Sequence, residues 1–114
     1  MNVLVVDADL LGTGRLEAVA AATGAQLRFV TAAAIEEALR VSSVDLVILD
    51  LDRGREGALD LLDEARKNET LAARVVAYVS HVDEDLASAA RERGYEAWPR
   101  GRLWRSLEEL LTRP

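Results

Sequence analysis

The chain has 114 residues, half of them apolar, no cysteine and a formal charge of −6. That length suits one domain with a real core and is too short for two, and the apolar half argues against disorder. The acidity argues against nucleic-acid binding by this chain alone, which needs clustered Lys and Arg, and the lack of cysteine removes disulfides, thiol nucleophiles and Cys-rich zinc sites.

In chain order, residues 2–7 read as a first strand, Val3-Leu4-Val5-Val6 running into Asp7 with Asp9 close behind. Residues 13–23 carry Leu16, Val19, Ala20 and Thr23 at helical spacing, with Gly24 as the stop. A second strand spans 26–31 through Leu27, Phe29 and Val30. A short helix over 32–40 follows, with Ile35, Ala38 and Leu39 facing in and Thr31 as its N-cap. Val44-Asp45-Leu46-Val47-Ile48-Leu49-Asp50 is the most informative stretch: an unalternating β-favouring run that stops at a carboxylate. Such a run suits a strand buried on both faces of a parallel sheet. A loop over 51–57 and a helix over 58–68 come next, with Leu59, Leu62, Ala65 and Arg66 at helical spacing. Then follow a strand over 74–79, a helix over 83–93 capped by Gly94, a strand over 95–98 and a last helix over 103–112.

Strands alternating with helices predict an α/β fold, a (βα)5 doubly wound five-stranded parallel sheet of flavodoxin-like topology over 1–114, with helices on both faces. Ligands of such sheets bind outside the carboxyl ends of the strands, which is where Asp7 and Asp50 fall. No segment approaches the ~18 consecutive apolar residues of a membrane span, and the first apolar run lacks the basic flank of a signal peptide, so a cytoplasmic location is expected.

The alternation, the acids ending strands one and three and the phrase from Val44 to Asp50 together resemble the receiver domains of two-component response regulators, over essentially the whole chain. The resemblance implies that a histidine kinase phosphorylates the aspartate ending the third strand, with Mg²⁺ held by nearby acids. A hydroxyl after the fourth strand and a lysine after the fifth then hold the phosphoryl oxygens. On this reading Asp50 is the phosphoacceptor, a carboxylate nucleophile forming an acyl phosphate; the plainer alternative is an Asp capping a loop. Asp7 and Asp50 are metal ligands, together with Asp52 through its backbone carbonyl. Ala8 stands where a second acid is expected, and Asp9, one residue on, points to the other side of an extended chain. Mg²⁺ prefers carboxylates, waters and phosphate oxygens in octahedral array, so this site is expected to be weakened or lost.

Ser80 matches the hydroxyl position, or simply starts a turn. His81 beside it is more naturally a solvated loop residue than a metal ligand or pH sensor. The family lysine is missing: the only lysine, Lys67, lies in the third helix. Arg100 is the nearest basic substitute, as a phosphate sensor or as a salt-bridge partner of Asp50, though a guanidinium is no replica of an ammonium tip. Ala97 falls at the position of the family's switch aromatic. Trp98, Arg102, Trp104 and Arg105 suggest a partner or homodimer face across the last helix-strand-helix; the alternative is that both tryptophans pack between the last helix and the sheet. The leading expectation is a stand-alone signalling protein working by protein–protein contact, with a histidine kinase or an output protein as partner and no direct nucleic-acid or membrane role. A working Mg²⁺-dependent phospho-receiver is the second reading. A small enzyme on the same topology is the third, and the lone Gly12-Thr13-Gly14 supports it weakly.

Overall fold

Five apolar runs become five strands: β1 (Asn2–Val6), β2 (Gln26–Val30), β3 (Leu46–Asp50), β4 (Arg74–Val79) and β5 (Glu96–Pro99). All are parallel in one sheet of order β2-β1-β3-β4-β5. The connections are α1 (Leu10–Thr23), a 3₁₀ turn Ala32–Ala34 leading into α2 (Ile35–Val41), α3 (Leu51–Lys67), α4 (Glu84–Glu92) and α5 (Arg100–Thr112). The structure, a computed structural model, describes residues 1–8, 10–80 and 83–112, and only the backbone of 10–12. Asp9 and His81, both considered above, lie outside the described residues.

β3 sits in the middle of the sheet and every one of its residues is buried, as an unalternating apolar run requires. Side chains nevertheless alternate between two cores. Leu4, Val6, Val47, Leu49, Val75 and Ala77 face α2, α3 and α4 and pack on Ile35, Leu59, Leu62 and Leu86. Val3, Val5, Leu46, Ile48, Val76, Tyr78 and Trp98 face α1 and α5 and pack on Leu16, Leu103, Leu107 and Leu110. Asp50 follows Leu46 and Ile48 in the period of two, so it belongs to the second face. The register sets it beside Tyr78, and Tyr78 beside Trp98.

Several local expectations are corrected. The loop expected over 51–57 is helical from Leu51, because Asp50 caps the turn by accepting the Arg53 N–H (3.3 Å). The helix then breaks at Arg55 (φ 51°, ψ −156°) before continuing to Lys67. Gly54 is required here: a Cβ on it would lie 2.7 Å from Ala58 Cβ and 3.0 Å from Asp7 Oδ2. Thr31 makes no side-chain cap; Asp7 Oδ1 instead accepts the Ala32 N–H that opens the 3₁₀ turn (3.1 Å). α5 begins at Arg100, directly after Pro99, three residues earlier than the apolar spacing predicts. Arg66 does not face inward: it is exposed, with its guanidinium over the Tyr95 ring (4.7 Å) and bonded to the Arg93 carbonyl (2.9 Å). Phe29 is 39% exposed: β2 is an edge strand, and Phe29, in register with Val5, lies on the α1 side at the rim of the sheet.

Candidate functional site

The carboxyl ends of the strands bring Asp50, Asp52, Tyr78, Ser80 and Arg100 together. Asp50 is wholly buried, the one charged residue among the buried described residues. Burying a carboxylate is costly unless it is paired and hydrogen-bonded, and this one is both. Its Oδ1 takes the Arg53 N–H and its Oδ2 takes the Tyr78 hydroxyl (3.2 Å), with the Arg100 guanidinium 3.8 Å away. Burial still prevails and pushes the Asp50 carboxyl above the ordinary carboxylate range. Arg100, the Arg53 N–H and the Tyr78 hydroxyl pull it back down, while the neighbouring Asp52 charge adds to the rise.

Arg100 is the hub. One Nη reaches Asp52 at 3.0 Å and Asp50 at 3.8 Å, and the guanidinium lies over the Tyr78 ring at 5.4 Å. Its own pKa rises because Asp52 and Asp50 hold the charged form, against the cost of burial. Asp52 is half-buried, and both its carboxylate oxygens accept the backbone N–H of Ser80 (3.1 Å each). Asp52, read from the sequence for its backbone carbonyl alone, commits its side chain to two donors, the Ser80 N–H and the Arg100 guanidinium. Ser80 enters through its N–H, and its carbonyl accepts the Asp83 N–H (3.0 Å).

Asp7 is brought to the same edge but turned elsewhere. Its backbone adopts a positive φ of 55°, a region that Asp tolerates better than most residues. The turn aims Oδ1 at the Ala32 N–H and Oδ2 toward Gly54, while its own N–H bonds the Val30 carbonyl (2.9 Å). An open groove of about 420 Å³ beside it is lined by Asp7, Ala8, Thr13, Phe29 and Arg53 among others.

These donors do not fit a Mg²⁺ ion as they stand. The ion wants several free oxygens at octahedral positions. Ala8 offers none, Asp7 caps a backbone N–H, and Asp52 is taken by Ser80 and Arg100. Among the described residues no three His, Cys, Asp or Glu side chains gather closely enough to hold a metal. The positive charge beside Asp50 comes from Arg100.

Of the four residues expected on a partner face, Arg102 and Arg105 are exposed and Trp104 is half-buried. Trp98 is 7% exposed and belongs to the core under α5, with Arg102 stacked over it (4.1 Å) and Arg74 beyond (5.9 Å). Trp104 packs on Tyr78 (6.0 Å between ring centres) and lies under Arg15 (5.5 Å). Ala97 is buried in the core toward α4.

Sequence reasoning missed Tyr78, which it passed over as one residue of the strand over 74–79. The signal that finds it is register. A parallel strand pairs Asp50 with the fifth residue of β4, and only the alignment of the two strands shows that this residue is Tyr78.

No protein-family model matches the chain, and no curated protein sequence does. Solved structures do. A response regulator from Thermotoga maritima superposes with a TM-score of 0.77 at 21% identity, covering 97% of this chain and 93% of that one. The receiver domain of the TMAO respiratory system response regulator TorR gives 0.78 at 19% identity, covering 98% and 97%. Chemotaxis response regulator CheY4 of Vibrio cholerae gives 0.74 at 12%, covering 96% and 98%. The matches extend over nearly the whole of each chain, so the chain has the fold of a response-regulator receiver domain.

Proposed function

We propose that the chain is a receiver-like signalling module that works through protein–protein contacts. Asp50 is retained as the phosphoacceptor carboxylate, while the metal and phosphate positions around it are partly eroded. One observation carries this reading: Arg100 and Tyr78 occupy Asp50 from within, at 3.8 and 3.2 Å, in a pocket with no exposure. An incoming phosphoryl group needs a free carboxylate oxygen in line with the leaving oxygen and a cation beside its own oxygens. Here the cation is a side chain and both oxygens accept protein donors, so transfer requires Tyr78 and Arg100 to move. Ala8 in place of a second acid weakens the metal further.

The partner is a protein, a histidine kinase or an output protein, or a second copy of the chain, meeting the face formed by α4, β5 and α5. The exposed Arg102 and Arg105 and the half-buried Trp104 support that placement. Of the residues read for phosphate contact, Ser80 offers its N–H and Arg100 its guanidinium, both presently held by Asp52. A Mg²⁺-dependent phospho-receiver is the second reading. It is favoured by the placement of Asp50, Ser80 and Arg100 at adjacent strand ends.

Tryptophan fluorescence during Mg²⁺ and then beryllofluoride titration separates the two, with Asp50→Asn as control. Trp104 reports, because it touches Tyr78 and Tyr78 bonds Asp50. The eroded site predicts no saturable change at millimolar Mg²⁺. A saturable change that disappears in Asp50→Asn establishes the phospho-receiver instead.

A further inference from the structure

The Asp52 carboxylate joins two elements that no strand ladder joins at that point. The β4–β5 register ends at Val79 opposite Pro99, so Ser80 and Arg100 are the next residues outward. Pro99 has no N–H to extend the pairing. Asp52 bridges the gap: both its oxygens accept the Ser80 N–H at 3.1 Å, and Oδ2 also accepts an Arg100 Nη–H at 3.0 Å. Ser80 passes the link on, since its carbonyl accepts the Asp83 N–H (3.0 Å) and the Asp83 carboxylate caps α4 through the Leu86 N–H (3.3 Å). One carboxylate from the first turn of α3 thus fastens the start of α4 and the start of α5 to a single point.

We propose that Asp52 is a resident anion: it supplies from within the chain the negative charge that links Ser80 to Arg100. It therefore holds the α4, β5 and α5 face in one arrangement with no phosphoryl group on Asp50. The inference rests on the function proposed above only in taking that face as the surface offered to a partner; the clamp itself stands on the three contacts. An isolated ion pair at this exposure contributes little. What distinguishes this one is the charge-assisted backbone hydrogen bond on the same carboxylate, which fixes Ser80 as well as Arg100.

Chemical rescue tests it. Amide NMR spectra and hydrogen exchange are recorded for the wild-type chain, Asp52→Ala and Asp52→Asn, each with and without inorganic phosphate. In Asp52→Ala the amides of Ser80, the first turn of α4 and the first turn of α5 should shift, and Ser80 should exchange faster by about tenfold. Millimolar phosphate should reverse both effects with saturation, while leaving the wild type unchanged. Asp52→Asn, which keeps an acceptor and loses the charge, should show the same changes in smaller measure, and it carries the test if the alanine variant does not fold. Shifts confined to the neighbours of residue 52 would overturn the proposal, as would shifts that phosphate leaves in place. Because the rescue does not involve Asp50, it can fail or succeed independently of the Asp50-dependent beryllofluoride response.

Discussion

The two acids that end strands in this chain have opposite fates. Asp7, at the end of β1, is spent on architecture: a positive φ turns it toward the β2 side, where it caps the Ala32 N–H. Asp50, at the end of β3, is buried without exposure and surrounded by Tyr78, Arg53 and Arg100. The difference teaches that a carboxylate at a strand end is not yet half of a metal site. What its neighbours donate decides its role: among the described residues the Asp7 carboxylate accepts a backbone N–H alone, while Asp50 adds a phenol and a guanidinium to its backbone N–H.

The sharpest way to break this contrast is at Tyr78. Tyr78→Ala removes a nearly buried aromatic and the hydroxyl on Asp50, and should destabilise the fold by about 3–5 kcal/mol in denaturant unfolding. Tyr78→Phe keeps the ring and loses a hydrogen bond to a buried carboxylate, which should cost about 1.5–3 kcal/mol, so the gap between the two variants separates packing from the hydrogen bond.

Asp50→Asn should act in the other direction. Asp50 has a folded pKa above its ordinary value of 3.8, with burial as the main cause. As pH rises past that value the unfolded chain ionises first and the folded state binds the extra proton, so stability falls through the window up to the raised folded value. Asparagine stands in for the neutral form. The variant should therefore melt higher than wild type at neutral pH, and the gain should vanish as pH is lowered through the same window. A pH-independent difference in melting would place the effect in packing instead.

Asp7→Ala should produce the smallest of the three changes, about 0.5–2 kcal/mol, as for loss of a capping side chain. Its signature is local: faster exchange of the Ala32 amide with little change at Ser80 or Arg100. A large response around Asp50 would join the two ends of the edge into one site.

The fold was legible because apolar runs of β-favouring residues alternate with helical periods, and because Gly24 and Gly94 take the positive φ that ends a helix (80° and 89°). The position of Asp50 was legible for the same reason. Three things were not. The helical turn from Leu51 depends on Asp50 acting as a cap, which a single sequence does not separate from an Asp awaiting a ligand. The diversion of Asp7 depends on one backbone angle, and Asp accepts that angle without a glycine to announce it. The pairing of Arg100 with Asp52 as well as Asp50 depends on where α5 starts, and the apolar spacing from Leu103 onward places that start too late. Trp98 and Trp104 show the same limit. The identical residue type is core in one and half-exposed against Tyr78 in the other, because the β4–β5 register fixes the first and helical phase the second.

On the function proposed above, an arginine rather than a metal supplies the positive charge at Asp50. A carboxyl-carbon NMR titration of Asp50, in wild type and Arg100→Ala, with and without millimolar Mg²⁺, tests it directly. The account predicts a wild-type midpoint above the ordinary carboxylate value, unmoved by Mg²⁺, and a further upward displacement in Arg100→Ala. A midpoint that drops when Mg²⁺ is added, or that ignores the loss of Arg100, would contradict it.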